Sequence, residues 1–460
     1  MTGFGLGSFR DPGGFIFYLG DNLYRQVNKC YAGNFNLLMD SGLYTRLVER
    51  GLLIPHIQTD GIDSPFPQDV YKIIQPERVP FISYPYEWCF SQLKDAALLT
   101  LAIQRIAIEF GMTLKDASAY NVQFLRGCPI FIDTLSFQKY EEGKPWIPYR
   151  QFCQHFLAPL VLMSRVDIRL ASFLRIYIDG IPLDLAVSLL PFSTRFSLPF
   201  YLHIYMHSKS QISYSNKPME LSHFNHKVSK NALLGLMDNL ESAVKSAKWN
   251  PVGTQWVDYY NDNSYSKVSL MNKKEIVLDY LKSTNPGTVW DFGANNGQYS
   301  QIASSVGANS VSFDIDPACV EMNYLNVRKT GEKNILPLVM DITNPSASIG
   351  WDNNERLTMQ ERGPVDLVMA LALIHHLAIS NNLPFSKIAR FLARVCKTLI
   401  IEFVPKSDQK VRKLLASRED TFPDYDIDGF EREFSKFFEI RKISKINDSK
   451  RSLYLMFKRS

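Results

Sequence analysis

One stretch constrains this chain more than any other. Thr288-Val-Trp-Asp-Phe-Gly-Ala-Asn-Asn-Gly-Gln-Tyr-Ser300 reads as a β-strand running into a loop that bears Gly293 and Gly297, with a helix starting near Gln298. Glycines at such a turn let backbone approach a ligand closely, and the helix N-terminus presents free N–H groups. The stretch has company. Short β-rich runs at Ser310–Phe313, Ile335–Met340, Val365–Ala370 and Thr398–Val404 follow it, mostly separated by helical patterns such as Gly297–Val306 and Ser386–Cys396. Such alternation predicts right-handed βαβ units and a mostly parallel sheet with helices on both faces, an α/β fold. Phe438–Ile446 and Ser452–Lys458 are joined by a connection too short for a crossover. A terminal hairpin, its last strand antiparallel to its neighbours, is expected, giving seven strands.

In a doubly wound sheet, ligands sit outside the carboxyl ends of the strands, where the glycine loop lies. The second strand ends at Asp314 in Val-Ser-Phe-Asp-Ile-Asp-Pro, placed to accept hydrogen bonds from ribose hydroxyls; Asp316 competes for that role from farther along. A nicotinamide dinucleotide would use the same parts. Asp291 decides between them, because a carboxylate two residues before Gly293 repels a pyrophosphate and attracts the ammonium group of an amino-acid moiety. That favours S-adenosylmethionine.

These residues resemble the class I S-adenosylmethionine-dependent methyltransferases, over roughly Trp256–Phe457. Asp291, Gly293, Asn295 and Gly297 match the first motif, with Asn295, a residue that tolerates positive φ, in place of its middle glycine. Asp314 matches the ribose-binding acid, and Asp341 matches the acid or amide that contacts the adenine amino group, although Asp341 also reads as a turn or N-cap residue. The fourth-strand motif looks like Asp366 to Leu377, and the resemblance implies a Rossmann-like fold and S-adenosyl-L-methionine as cofactor. His375 and His376 follow that strand and are candidates for a catalytic base, beside the reading that the pair is structural. Glu402 at the fifth strand's end is either a substrate contact or a solvated rim acid, and Trp256, Tyr259, Tyr260 and Tyr265 are either a cofactor lid or core.

The N-terminal half reads as α+β. Gly20-Asp21-Asn22 marks a hairpin turn, Leu37–Arg50 a helical pattern, and Asp95–Phe110, apolar almost all round and followed by Gly111, a buried helix. After that helix come Asp116, Asn121 five residues on, and the strand Pro129–Asp133. The order resembles the catalytic Asp, metal-binding Asn and second metal-binding Asp of protein kinases and aminoglycoside phosphotransferases, with Phe81–Phe90 similar to an interlobe hinge. That resemblance implies ATP and magnesium at Asp116, Asn121 and Asp133. Departures stand against it: no Phe-Gly follows Asp133, no Gly-x-Gly-x-x-Gly loop is present, and Arg25 stands where the ATP-binding lysine is expected.

The expected organisation is an N-terminal domain over 1–205, a helical and polar linker over 206–254, and a methyltransferase domain over 255–460. Among 460 residues, 46% are hydrophobic and 13% aromatic, which excludes disorder of the bulk chain. A net charge of +5 is too small to name a polyanion as partner, so nucleic acid is disfavoured. Six scattered cysteines without a C-x-x-C pair give neither a disulfide framework nor a zinc site, and no resident metal is expected in the C-terminal half. With no secretory signal and no run of 18 apolar residues, the expectation is a cytoplasmic protein without a membrane span.

Three functions follow. The first is methyl transfer to a small-molecule, glycan or protein acceptor, with the N-terminal domain recognising substrate or partner. The second is a bifunctional kinase and methyltransferase, and the third a cofactor-binding scaffold without catalysis. The whole-chain layout is similar to rhizobial nodulation host-specificity proteins, which points toward glycan or small-molecule modification over RNA.

Overall fold

The computed structural model describes residues 2–4, 7–206, 228–251, 266–416 and 420–459. They form two compact units: residues 1–250 together with 348–356, and residues 251–347 together with 357–460.

The second unit carries a seven-stranded sheet. Its strands are β10 (Thr288–Phe292), β11 (Asn309–Asp314), β12 (Ile335–Val339), β13 (Val365–Ala370), β14 (Cys396–Phe403), β15 (Phe438–Lys445) and β16 (Ser452–Lys458), numbered after nine strands of the first unit. Their spatial order is β12-β11-β10-β13-β14-β16-β15. β10 to β14 pair in parallel, and β16 runs antiparallel between β14 and β15. β10 lies third of the seven, inside the sheet, buried along four of its five residues, as a strand covered on both faces requires. The order turns outward from β10 in both directions, so the crevice at its carboxyl end is the topological switch point. Helices Lys267–Thr284 and Gln298–Ser305 close one face through Val277, Tyr280, Leu281, Tyr299 and Ala303, packed with Val289, Leu367 and Leu455. The sequence-expected strands and terminal hairpin are present within one or two residues at each end.

In the first unit, β1 (Thr2–Phe4), β2 (Gly14–Leu19), β3 (Asn22–Asn28), β4 (His56–Gln58) and β5 (Val70–Pro76) make an antiparallel sheet in the order β1-β2-β3-β5-β4. β2 and β3 are joined by Gly20 and Asp21, with Gly20 at φ 60°. Leu37–Arg50 is two helices, Ala32–Asp40 and Leu43–Glu49, because Gly42 at φ 82° breaks the path between them. Helix Phe90–Glu109 runs through the interior, and Gly111 at φ 73° follows its end. β6 (Met112–Leu114) pairs with β9 (Phe137–Lys139), and β7 (Val122–Leu125) with β8 (Cys128–Phe131).

The stretch expected as a linker needs correction. Helix Lys230–Ser246 belongs to the first unit: Lys94 donates to Lys245 O at 3.1 Å and Ala247 O at 2.8 Å, and Arg105 pairs with Asp238 and Glu241. Its buried face, Leu233, Met237, Leu240 and Val244, supplies apolar area that a free linker helix would leave in water. Residues 207–227 and 252–254 of that stretch lie outside the described residues, as do Trp256, Tyr259, Tyr260 and Tyr265. All six cysteines are free thiols. Among the described residues no helix is long and apolar enough to cross a membrane, and no group of three or more His, Cys, Asp or Glu could hold a metal ion.

Candidate functional site

The chain leaves β10 at Phe292 and turns at once through three residues of positive φ: Gly293 at 71°, Asn295 at 51° and Gly297 at 80°. The tight path is fixed by hydrogen bonds from Gly293 N (2.9 Å) and Ala294 N (3.0 Å) to Phe313 O. Asn295 tolerates the left-handed region better than any branched residue, which explains its standing where a glycine is usual. At Gly297 a Cβ would collide with the buried Asn323 side chain, so only glycine passes between loop and helix Pro317–Thr330.

Asp314 closes the loop from the neighbouring strand. Its Oδ2 accepts from Asn295 N at 2.7 Å and its Oδ1 from Asp316 N at 2.9 Å. Asp316 is used differently: its Oδ1 accepts from Ala318 N at 2.9 Å and caps helix Pro317–Thr330, which leaves Asp314 as the strand-end acid on the cavity. Asp291 is buried, accepts from Ser300 Oγ at 2.7 Å, and Ser300 in turn accepts from Ser312 Oγ at 2.7 Å. Burial pushes the Asp291 carboxyl up to about 6 against the Ser300 bond and the nearby Lys273. Burial likewise raises Asp314 to about 6, opposed by the backbone N–H groups it accepts and reinforced by Asp316. Two buried carboxylates whose charged forms burial disfavours, both on the wall of one cavity, are suited to a ligand that brings polar hydrogens and positive charge.

A cavity of about 430 Å³ opens over this loop, and Asp291, Gly293, Asn295, Asp314, Asp341 and His376 all line it. Asp341 Oδ1 accepts from Thr343 N at 2.8 Å and Thr343 Oγ1 at 2.7 Å, so this acid is both a turn residue and a wall of the cavity. Ile315, Met340, Ile342, Leu371 and Leu377 add apolar walls. Ala372, on the lining loop after β13, sits at φ 52°, backbone strain of the kind that clusters at binding sites.

The two histidines part company. His376 lines the cavity, whereas His375 is not among its walls, is 1% exposed, and has no hydrogen-bond partner at Nδ1 among the described residues. Burial lowers His376 to about 4, helped by Arg451 and Lys410, and drives His375 well below its ordinary value, helped by His376. Both are neutral imidazoles at neutral pH. Gly297 touches the site only as the start of helix Gln298–Ser305.

Lys273 is the site residue that the motifs did not reveal. It lines the cavity, 3% exposed, with Nζ 2.7 Å from Glu402 Oε2 and 4.7 Å from the Tyr299 ring centroid. Burial lowers its ammonium, and Glu402 works to raise it again. The signal was in the spacing: Ser269, Lys273, Val277, Tyr280 and Leu281 are the buried positions of helix Lys267–Thr284, so a lysine stands on an inward stripe. Glu402, read as substrate contact or solvated rim, is neither. It is 0% exposed and shared between Lys273 and Arg451, whose Nε is 2.7 Å from Asp408 Oδ2.

In the first unit, the segments after β6 and β8 bring Asp116, Asn121 and Asp133 into one neighbourhood. Asp116 accepts from Ser118 N at 2.9 Å; burial raises its carboxyl, with Asp133 adding to the rise. Asn121 Nδ2 donates to Ser136 Oγ at 3.2 Å. Burial works to raise Asp133, but the Arg25 guanidinium beside it and the Ser136 hydroxyl hold it below its ordinary value.

No protein-family profile matches the chain. It is 35% identical over 460 residues to the nodulation protein NoeA of Rhizobium meliloti (strain 1021), covering 99% of this chain and 96% of that protein. Similar solved structures include a SAM-dependent methyltransferase from Aquifex aeolicus, at 17% identity and TM-score 0.32, covering 46% of this chain and 100% of that one. Magnesium protoporphyrin IX methyltransferase from Synechocystis PCC 6803 is similar at 18% identity and TM-score 0.30, covering 44% of this chain and 89% of that one. The bifunctional kinase-methyltransferase WbdD is similar at 16% identity and TM-score 0.30, covering 44% of this chain and 41% of that one.

Proposed function

The chain belongs to the family of the nodulation protein NoeA, and we propose that it is an S-adenosyl-L-methionine-dependent methyltransferase whose reaction runs in the second unit, at the carboxyl end of β10. The observation that carries this reading is the convergence of Asp291, Gly293, Asn295, Asp314 and Asp341 on one cavity at the switch point of the sheet.

The residues present fit such a cofactor. Asp314 would accept from the ribose hydroxyls, Asp341 from the adenine amino group, and Asp291 would face the ammonium of the amino-acid arm. Ile315, Met340 and Leu377 supply apolar contact for the base. When bound, the cofactor supplies a methyl group on a sulfonium, ready for in-line displacement. The chain's own work is then orientation and exclusion of water. His376, neutral and on the wall after β13, is positioned to hold or accept a proton of the incoming nucleophile, while His375 braces the same loop from within.

A small molecule or glycan is the acceptor we favour, since the net charge of +5 offers no polyanion track and the methyl-donor cavity is one compact pocket. The first unit is read as the recognition body for that acceptor or for a partner. Calorimetric titration with S-adenosylmethionine and S-adenosylhomocysteine tests the cofactor: heat that disappears in Asp314→Ala supports the reading. Absence of heat with both, together with binding of NAD, overturns it.

A further inference from the structure

Asp116, Asn121 and Asp133 are the largest constellation that methyl transfer leaves unused. They would serve a magnesium nucleotide if their oxygens were open to the ion, which takes near-octahedral oxygen ligands and has no place for a guanidinium. The residues do not fit that group. Arg25 on β3 sets Nη2 on Asp133 Oδ1, Leu135 N reaches the same oxygen at 3.2 Å, and the Ser136 hydroxyl donates to Oδ2. Ser136 Oγ is also where the Asn121 amide spends a donor, at 3.2 Å. The Arg25 and Asp133 side chains are 10% and 15% exposed, and Leu135, 0% exposed, packs with Val27, Tyr31 and Ile74 directly behind them. A cation entering at Asp133 would have to displace a buried guanidinium from its ion pair.

A second observation is independent of that pair. Residues 348–356 fold with the first unit and bind two of its segments at once. Glu355, 1% exposed at its side chain, accepts from Arg10 Nε at 3.0 Å, on the loop between β1 and β2. Arg356 lies with Cζ 4.1 Å from the centroid of the Tyr120 ring, next to Asn121. Gly7 in that loop is pressed on the segment so closely that a Cβ would stand 2.5 Å from Glu355 O and 2.9 Å from Arg356 Nη1. In a phosphotransferase the loop between the first two strands lies over the phosphates with its N–H groups free. Here protein occupies that side of Gly7.

We propose that the first unit is a phosphotransferase-like body whose metal is replaced from within: Arg25 is the resident cation of Asp133, Glu355 and Arg356 tie down the loop that would cover phosphates, and the unit takes no magnesium nucleotide. Its acids hold the fold together. The bifunctional reading then loses its second activity, and the first unit is left for recognition.

Manganese, which reports on magnesium sites, gives the test on the full chain. The electron paramagnetic resonance signal of Mn·ATP is followed as protein is added, and thermal unfolding is measured with and without Mg·ATP. The expected result is no protein-dependent loss of signal and no shift in Tm. Arg25→Met and Asp133→Asn each lower Tm by several degrees, and the double variant recovers part of the summed loss because each single leaves a buried partner unsatisfied. Saturable Mn·ATP binding at sub-millimolar protein, with the methyl-donor cavity filled by excess S-adenosylhomocysteine, would overturn the proposal, as would a Tm raised by Mg·ATP under the same condition. The binding measurement on the unsubstituted chain decides even where a variant does not fold.

Discussion

Lys273 Nζ lies 2.7 Å from Glu402 Oε2, a cation and an anion whose side chains are 4% and 0% exposed. A pair this deep is dear to desolvate, and it stands on the wall of the cavity beside Asp291. Glu402 keeps Arg451 Nη1 at 3.4 Å when the lysine is removed. Lys273→Met should therefore destabilise the fold toward the lower end of the roughly 3–5 kcal/mol typical of breaking a buried pair. Denaturant unfolding measures it. The ammonium is also the cation best placed for the carboxylate of the amino-acid arm. S-adenosylhomocysteine should bind Lys273→Met about tenfold more weakly, roughly 1.4 kcal/mol. Methylthioadenosine, which lacks that arm, should bind as before. Equal losses for both ligands would show that the lysine only supports the pocket.

Asp291 gives a pH dependence whose sign is unusual for a carboxylate. Its folded value, about 6, lies above its ordinary 3.8, so between about pH 4 and 6 the folded chain holds a proton that the unfolded chain has lost. The residue costs stability above that window, and the cost disappears as pH falls through it, by up to about 3 kcal/mol at 1.36 kcal/mol per unit. Asp291→Asn, which keeps an acceptor for Ser300, should raise the Tm of the ligand-free protein at pH 7.5 and lose that advantage at pH 4.5. The same variant should lose cofactor affinity at pH 7.5. In the unsubstituted protein, affinity for an ammonium-bearing ligand should fall below pH 6 as the carboxylate protonates. A variant that is both less stable and equally competent at pH 7.5 would contradict the assignment.

The second unit was legible because its chemistry is local. The strand, the positive-φ loop at Gly293, Asn295 and Gly297, and the acid at Asp314 are all within one βαβ unit, so spacing along the chain is spacing in the site. Lys273 was missed because it reaches the cavity from a helix before the first strand, and Glu402 was misread because its two cations come from positions 273 and 451. Asp133 shows the same limit in the first unit. Its spacing from Asp116 and Asn121 matched a metal site, while the residue that fills the metal's place, Arg25, comes from a strand more than 100 positions earlier. Residues 348–356 are a harder case: nothing in their composition marks a segment amid the second unit's sequence as folding with the first.

Gly297→Ala tests the close approach between loop and helix. The backbone is at φ 80°, and a Cβ would run into the Asn323 side chain, itself 1% exposed and unable to swing into solvent. Left-handed strain for alanine costs about 1–2 kcal/mol before the clash is counted. The expected outcome is a Tm lowered by several degrees and at least tenfold weaker S-adenosylhomocysteine binding. Gly297→Ala combined with Asn323→Ala, which removes the colliding atoms, should recover part of the loss. No recovery would place the whole cost in the backbone.

His376 and His375 separate a positioning role at the cavity from bracing of the fold. Burial, aided by Arg451 and Lys410, holds His376 near 4, so the imidazole is already neutral throughout the range where histidines usually titrate. The rate of methyl transfer from labelled cofactor into lysate acceptors should then show no break near pH 6.5 arising from this group. His376→Gln should lower that rate by about 10²-fold, the smaller end of what a positioned proton acceptor contributes, with cofactor affinity unchanged. His375→Gln should instead act on the fold: the residue is 1% exposed and stands off the cavity wall, so its replacement shifts Tm more than turnover per folded molecule. Both imidazoles are neutral when folded and charge on unfolding below about 6.5. Stability is therefore lost as pH falls below that value, down to about 4 for His376, opposite in sign to the effect of Asp291. A rate profile with a break between pH 6 and 7 that vanishes in His376→Gln would mean that the occupied site raises this histidine into the working range, making it a general base in the full sense.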